Sequence, residues 1–585
     1  MSFTKLKTYF FKAKTKNLLI SVTTALAILP FLTTSSKRVI SGISSGNEAL
    51  GIFYYPRIFS LDQAWLEIGN YFTRSTVSLK TSAEFGMLGD LIERIFFKIF
   101  SENIVITYKI ISLIYLSLWL YFLTRLVSEE NISNFLKSSI LVSLALIIFF
   151  GNKSLININY GFSRIISPQV SILIWILTIY GVHEFFRNSK LGIKKSKFLI
   201  LFPLLILLSS LTYLFTFLAL LGVAVVFGLY LLYIKEIKKI TIFLILSLTS
   251  CIPFGISTYT HQSNLVFSQV LERMGIFESR LPGSIKTLML CLVIFLLIFI
   301  YNKLTTNKLS NNPFVLTILI CTIGLIVASQ SNVITNKSIQ FYHFETYSYI
   351  LLILVIVKLF LLTMGKQTII EKLQIRSRKI PISVLVSLLL LHFLFTNIKI
   401  DPSNDYKTFF VSNFSKSSNL IVDISVLDYS IPIYTKSKVL YQGDIIAYNF
   451  TNAEIMNRYF VNSGCPKQIS FEGVPGLIEY RIQPTLQKGN QVFKYLSFIN
   501  LEHRFRNLYL PYIEEAKEIE TNIGLEVEEF FRKNRGGDCL QLARQFGIDY
   551  VIFDRESSWS EFFSEKDSSK FVVNKKDIYV VKLSE

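Results

Sequence analysis

Long apolar runs, separated by short stretches rich in Lys, Asn, Ser and Pro, dominate residues 1–397. A helix rises about 1.5 Å per residue, so roughly 20 apolar residues cross the hydrocarbon core of a bilayer. Runs of that order fall at 17–34, 104–126, 135–150, 169–186, 197–212, 214–234, 239–257, 284–301, 313–329, 346–364 and 381–397, which predicts about 11 spanning helices. The third is short. The fifth and sixth come from one 38-residue run, 197–234, too long for a single span even when tilted, and the break is placed at Thr212. The first run also carries Ala25-Leu26-Ala27 behind a basic start, as a signal peptide would. Its apolar core continues past that point, which favours an uncleaved anchor.

Two stretches follow other patterns. From Glu84 to Phe100, Asp90, Glu93, Arg94 and Lys98 recur at three- and four-residue spacing, with Phe85, Leu88, Leu91, Ile92, Ile95, Phe96 and Ile99 opposite. That is an amphipathic helix, and beside a membrane it should lie in the interface. Beyond residue 397 no run is long enough to span. Leu420–Ile424 and Tyr550–Phe553 read as short buried strands, and Cys539–Phe546 as a short amphipathic helix leading into the second. Glu514–Arg532 is acidic with helical periodicity, and Phe571–Leu583, interrupted at Asn574–Asp577, reads as a terminal hairpin.

Composition agrees with the pattern. Of 585 residues, 51% are hydrophobic and only 17% charged, with 51 Phe and 29 Tyr. That is more apolar surface than a water-soluble exterior allows, and it excludes an ordinary soluble enzyme, a disordered chain and a disulfide-dense scaffold. The net charge of +20 invites a nucleic-acid reading until its location is checked. From Thr396 onward there are 23 Lys and Arg against 25 Asp and Glu, while the preceding part holds 37 against 15. The basic excess therefore belongs to the apolar part, as the positive-inside rule requires, and no nucleic-acid partner is implied.

Orientation follows. The tail with Lys5, Lys7, Lys12, Lys14 and Lys16 is assigned to the cytoplasm. Counting spans from there, the loops with Arg187 to Lys197, Lys235 to Lys239, Lys303 and Lys308, and Lys366 to Lys379 all fall on that side. The loop 35–103, with seven basic and seven acidic residues, falls outside. The chain thus reads as an α-helical polytopic membrane protein with a C-terminal extracytoplasmic α/β domain. It comprises a basic tail (1–16), a membrane domain (17–397) with the large outer loop 35–103, and the external domain (398–585).

The chain contains no GxxxxGK[ST], HExxH or CxxC. Its five histidines, His183, His261, His343, His392 and His503, lack metal-ligand spacing; His392 reads as a packed residue inside a span, and Lys109 and Lys358 lie near enough to helix ends to snorkel. Cys251, Cys291 and Cys321 fall in apolar runs as small core residues, whereas Cys465 and Cys539 lie in the external domain, where they either pair or stay free. Two short outer loops carry polar groups: Asn159 to Gln169, a cap-and-turn signal with Arg164 and Pro168, and Gln330 to Glu345, with Lys337 and His343. Arg164, Lys337 and His343 share the outer face, where a cationic cluster suits a lipid-linked phosphate or serves ordinary solvation.

Taken with certain local motifs, this layout resembles the GT-C superfamily of polytopic membrane glycosyltransferases, and within it a group of bacterial GT-C-like proteins. The matching pieces are Tyr55-Pro56-Arg57 with Asp62, Ser163-Arg164 with Ser167-Pro168-Gln169, Gln330 to Lys337, and Gly547-Ile548-Asp549-Tyr550-Val551. The resemblance implies a multi-pass protein of the bacterial inner or plasma membrane that moves a sugar from a polyprenyl-phosphate-linked donor to a glycan or lipid acceptor on the outer face. It implies that Asp62 or Glu48 serves as catalytic base, and that Arg57, Arg164, Lys337 and His343 meet the donor phosphate. No cofactor is fixed by it, and a divalent metal on the loop acids is left open. The adjacent acids common in the family are absent: Glu48, Asp62, Glu67, Glu84, Asp90, Glu93 and Glu102 never stand side by side. The same layout also fits a non-catalytic relative with an external binding or assembly domain, and a glycolipid flippase.

Overall fold

The computed structural model describes residues 3–33, 87–100, 104–128, 132–150, 167–190, 196–262, 285–305, 312–335, 343–364, 418–423, 437–441, 451–466, 525–526, 528–534, 537–563, 569–573 and 576–583. The apolar runs form helices α1 (Phe3–Thr33), α3 (Ile104–Val127), α4 (Ile132–Phe150), α5 (Ser167–Lys190), α6 (Ser196–Ser210), α7 (Leu214–Tyr233), α8 (Ile237–Gln262), α9 (Ile285–Thr305), α10 (Pro313–Ser329) and α12 (His343–Met364). The amphipathic stretch forms α2 (Met87–Ile99), and α11 (Asn332–Thr335) is a single turn after α10. Among the described residues seven helices are long and apolar enough to cross a membrane, and three shorter apolar segments lie in α1, α4 and α6. The run 381–397 lies outside the described residues.

Local chemistry sets the boundaries. The 38-residue run breaks after Ser210, because Ser209, Ser210 and Thr212 donate their hydroxyls to carbonyls three or four residues back and Tyr213 is extended. Helix α7 ends at Lys235, which is left-handed (φ 59°), with the amides of Lys235 and Glu236 turned back to Leu232 and Leu231. Helix α10 starts at Pro313 behind Asn312, whose Oδ1 accepts from the amides of Phe314 (3.1 Å) and Val315 (3.4 Å).

The tightest crossing joins α7 to α10. A methyl group added at Gly222 would lie 2.0 Å from the Gly324 carbonyl oxygen, and one at Gly324 would lie 2.6 Å from the Val223 backbone. Lipid tails are as apolar as leucine, so helices in a bilayer associate through this kind of close backbone approach. In the bundle core Trp119 and Trp175 are fully buried, and Phe227 packs against Phe185, Phe198 and Phe243 at 5.0, 5.3 and 5.3 Å between ring centres.

Outward faces are apolar. Ile242, Ile245, Leu248, Ile252 and Ile256 on α8, and Leu292, Leu296 and Phe299 on α9, are exposed. The exposed Thr241 and Thr249 donate to carbonyls four residues back, which satisfies both hydroxyls within their own helix. Helix α2 packs on α3 and α5 differently from its wheel. Arg94, assigned to the polar face, is buried at 5% exposure, while Ile95 and Ile99 point outward. The pattern fixed amphipathicity, but the face turned inward is set by what the helix packs against.

Helices α3, α5, α7, α9 and α12 run in one direction. Tyr213 before α7 touches His343 at the start of α12, Lys286 at the start of α9 touches Glu345, and Lys358 near the end of α12 reaches the last carbonyl of α3. The bundle therefore has a His343 end and a Lys358 end. Arg125, Arg187, Lys235, Lys238, Lys239 and Lys303 stand at or near the Lys358 ends of their helices.

The C-terminal part is a five-stranded sheet of β1 (Asn419–Asp423), β2 (Lys438–Val439), β3 (Tyr550–Asp554), β4 (Ser569–Val573) and β5 (Lys576–Lys582), in the order β2-β1-β3-β5-β4. Strand β1 is parallel to both β2 and β3, and β5 is antiparallel to β3 and β4. Leu420–Val422 and Val551–Phe553 are each buried at three successive positions, as strands covered on both faces must be. The expected terminal hairpin is β4–β5. Helices α13 (Asn452–Asn462) and α14 (Cys539–Gln545) pack on the sheet, capped by Thr451 and Asp538. Strand β2 and α13 were not anticipated, and most of the acidic stretch 514–532 lies outside the described residues.

Cys465 and Cys539 form a disulfide with Cα atoms 5.7 Å apart, joining the end of α13 to the start of α14. Gly464 (φ 72°) and Cys465 (φ 49°) are both left-handed, which turns the chain back toward α14. Because the bridge spans 74 residues, its loss should cost about 4 kcal/mol on chain-entropy grounds. Cys465→Ala with Cys539→Ala is therefore expected to lower the domain's unfolding midpoint in oxidising buffer to the value that reductant gives the wild type. Equal midpoints for variant and wild type without reductant would contradict it. In the bundle, Gly222→Ala should destabilise the detergent-solubilised protein by roughly 1–3 kcal/mol by overpacking, whereas Gly228→Ala, with nothing near its added methyl, should be neutral or slightly stabilising. Thermal unfolding of the two variants side by side reads the difference.

Candidate functional site

At the His343 end, polar side chains project from the starts of several helices into an aromatic setting. The hydroxyl of Tyr213 and Nδ1 of His343 are 2.7 Å apart, and the imidazole stacks on Phe215 at 4.2 Å between ring centres. Next to it on α12, Glu345 forms an ion pair of 2.5 Å with Lys286 of α9. The positive end of a helix dipole favours Glu345 in the first turn of α12 and disfavours Lys286 in the first turn of α9, so the carboxylate is what keeps the lysine there.

One turn deeper the network becomes fully buried. The hydroxyls of Tyr347 and Thr216 are 2.6 Å apart, and Trp175 Nε1 donates to the Tyr347 carbonyl at 3.3 Å. Gln169, at the start of α5, donates through Nε2 to Ser112 (3.3 Å), and its backbone carbonyl accepts from Trp119 Nε1 (3.2 Å). Asn332, in the turn after α10, is buried. Each indole and phenol buries a large ring while its polar atom finds a partner, which makes this end a rigid floor.

His343 is thus the candidate residue that the structure places, held by Tyr213 and Phe215. Glu48, Arg57, Asp62, Arg164 and Lys337 lie outside the described residues, so their convergence with His343 is not placed. The cap-and-turn expected before residue 169 begins α5 at Ser167 with Pro168 next. Lys286, Tyr213, Thr216, Trp175 and Tyr347 were missed: each pairs with a residue far along the chain, and no local spacing signals such a pair. Among the described residues no group of three or more His, Cys, Asp or Glu could hold a metal ion.

The sheet offers a second place to look. The chain leaves β1 toward β2 on one side and returns to β3 on the other, so the carboxyl ends of β1 and β3 flank the crevice where open α/β sheets bind ligands. Asp423 and Asp554 end those strands. Here the crevice is filled from within. Ser557 hydrogen-bonds Asp423, the fully buried Trp559 donates to the Asn462 carbonyl at 2.9 Å, and Gly464 has no room for a methyl against the Trp559 amide (2.8 Å). Asn462 also bonds both the amide and the carbonyl of Val422, continuing the ladder where β2 stops. The chain's own turn occupies the ligand position.

Compared with protein-family models and with curated proteins, the chain matches none.

Burial pushes the Asp423 carboxyl up to about 6; the Ser557 hydroxyl opposes that shift and the Asp554 charge adds to it. An aspartate in an unfolded chain titrates near 3.9, so the folded domain binds this proton more tightly. The resulting stability is fully present below about pH 4 and is lost as pH rises through about 6. Hydrogen exchange of the β1 and β3 amides, corrected for intrinsic rates, should show more protection at pH 5 than at pH 7.5, by on the order of 2 kcal/mol. Asp423→Asn should flatten that difference.

Proposed function

We propose that this chain is a GT-C-like membrane glycosyltransferase that moves a sugar from a polyprenyl-phosphate-linked donor to a glycan or lipid acceptor at the outer face of a bacterial inner or plasma membrane. The observation that carries the reading is the chemical asymmetry of the bundle. Basic residues gather at the Lys358 end, and a hydrogen-bonded aromatic floor with His343 and the Lys286–Glu345 pair closes the other. By the positive-inside rule the Lys358 end is cytoplasmic and the His343 end outer. Helix α2, which leads into the outer start of α3, turns Ile95 and Ile99 outward, as an interfacial helix beside a lipid-linked substrate would. The disulfide supports an oxidising compartment for the C-terminal domain. Ten crossings return the chain to the cytoplasm after α12, so that placement requires one more, for which 381–397 is the apolar run.

In this reading Asp62 or Glu48 takes the proton of the acceptor hydroxyl as its oxygen attacks the anomeric carbon. The bond from that carbon to the phosphate oxygen breaks, and the charge on the departing polyprenyl phosphate is met by Arg57, Arg164, Lys337 and His343. His343 comes to this role with its ring orientation fixed by Tyr213 and Phe215.

The test uses purified protein in liposomes supplied with polyprenyl-phosphate hexoses and pentoses, with release of polyprenyl phosphate as readout. Wild type should turn over at least one donor, and Glu48→Ala with Asp62→Ala should lower the rate by about 100-fold or more at unchanged thermal stability. Full turnover in the double variant would remove the base assignment. No release by wild type from any donor would favour the non-catalytic reading, and movement of intact donor across the bilayer the flippase.

A further inference from the structure

We propose that the start of α1 carries a binding surface for anionic phospholipid headgroups, built from Lys5, Lys12 and Lys16. The proposal rests on the membrane reading of α1 and is independent of the glycosyltransferase reading.

Helix α1 is longer than a span requires. Its 31 residues, Phe3–Thr33, extend over about 46 Å, whereas the hydrocarbon core is about 30 Å thick and takes about 20 residues. Counted back from Thr33, the core ends near Lys14. Tyr9, Phe10 and Phe11 then fall about 5–8 Å outside it, at the level of the headgroups, where aromatic belts sit. Lys5, Lys7, Lys12, Lys14 and Lys16 all fall within about 14 Å of the same edge, and a lysine stem is long enough to carry its ammonium to the phosphates from that distance. No acid precedes Glu48 in the chain.

The lysines divide between two sides of the helix. At about 3.6 residues per turn, Lys5, Lys12 and Lys16 fall on the line continued by Leu19 and Ala27, while Lys7 and Lys14 fall on the line continued by Ser21 and Ala25. Burial tells the two lines apart. Lys16, Leu19 and Ala27 are exposed, whereas Ser21 and Ala25 are buried, as are Asn17 and Ile20, where α1 packs on α3 and α4. Lys16 makes no ion pair among the described residues. The acids nearest in sequence to the ends of those two neighbours, Glu129 and Glu130, follow α3 and precede α4, helices on the other side of α1 from the exposed line. One line of lysines thus continues the lipid-facing side of a spanning helix outward, and α1 has no carboxylate of its own to answer it.

An anionic headgroup fits that line. A phosphate oxygen accepts from ammonium in a charge-assisted bond, and such bonds are the strong ones. Basic residues clustered just outside a spanning helix take anionic lipids in this way. The positive-inside rule asks only for lysines in the tail, on any side of the helix. Their alignment with the exposed side, at headgroup depth and beside three aromatic residues, is what a lipid-binding surface adds.

The experiment places the full-length protein in phosphatidylcholine nanodiscs that contain a trace of phosphatidylglycerol with a photoreactive headgroup. Crosslinks on peptides from residues 1–37 are counted by mass spectrometry. Wild type should crosslink there, and unlabelled phosphatidylglycerol should compete. Lys12→Gln with Lys16→Gln should lower the labelling about 25-fold, roughly fivefold for each lysine. Lys7→Gln with Lys14→Gln removes the same charge and should lower it by less than about threefold, because a helix is about 10–12 Å across and charge is screened within about 8 Å. Thermal unfolding in phosphatidylcholine alone reports whether each variant folds, and single Lys16→Gln, at about fivefold, carries the test if the double does not. Equal losses in the two doubles would reduce the surface to a count of charges and overturn the proposal. Unchanged labelling in the Lys12 and Lys16 variants would do the same, as would labelling that a short RNA displaces and unlabelled phosphatidylglycerol does not.

Discussion

The contact between Gly222 and Gly324 is the constraint on which the bundle's geometry depends. At that crossing backbone meets backbone, and neither position has room for a side chain. The approach draws α7 against α10. It thereby sets where Tyr213, Phe215 and Thr216, on the first turn of α7 and just before it, meet α12. Those three residues are what hold His343 and Tyr347. A shift of α7 by one methyl group would be felt at the imidazole.

A second constraint follows from the apolar surroundings. Along an outer face that meets lipid, water is not available, and on α8 the exposed hydroxyls of Thr241 and Thr249 are returned to their own helix. Polar side chains that bond between helices are moved inward or to the ends. The result is a division by depth: apolar faces outside, Trp119, Trp175 and Tyr347 hydrogen-bonded inside, and charge at the two termini of the bundle. The C-terminal sheet solves the opposite problem, keeping Leu420–Val422 and Val551–Phe553 away from water on both faces.

Much of this was legible in the sequence because helix length, apolar content and breaks are local properties. The break at Thr212, the start of α5 at Ser167-Pro168, the strands β1 and β3 and the β4–β5 hairpin each follow from residues within a few positions of one another. What was not legible depends on pairing at a distance. Helix α2 read correctly as amphipathic, yet Arg94 turned inward and Ile95 outward, since a wheel records two faces without saying what each will touch. Lys286 and Glu345 are 59 positions apart, and Trp175 and Tyr347 are 172 apart; nothing near either member announces the other. Strand β2 is two residues long, and its ladder is completed by the side chain of Asn462 rather than by more strand.

The two ends of the bundle illustrate how similar residue types serve different ends. At the His343 end the imidazole has an aromatic partner and a phenol, and Lys286 is matched by Glu345. The two charges of that pair cancel, while the ring of His343 is oriented by Tyr213 and Phe215. At the Lys358 end the long side chains reach back to the bundle: Lys358 Nζ donates to the Val127 carbonyl at 2.9 Å, and Arg187 lies 3.4 Å from Glu184. The positive-inside rule accounts for cations being on that side, since it needs only a count of Lys and Arg in the loops. It says nothing of where each cation is anchored, which the carbonyls and carboxylates within its reach decide.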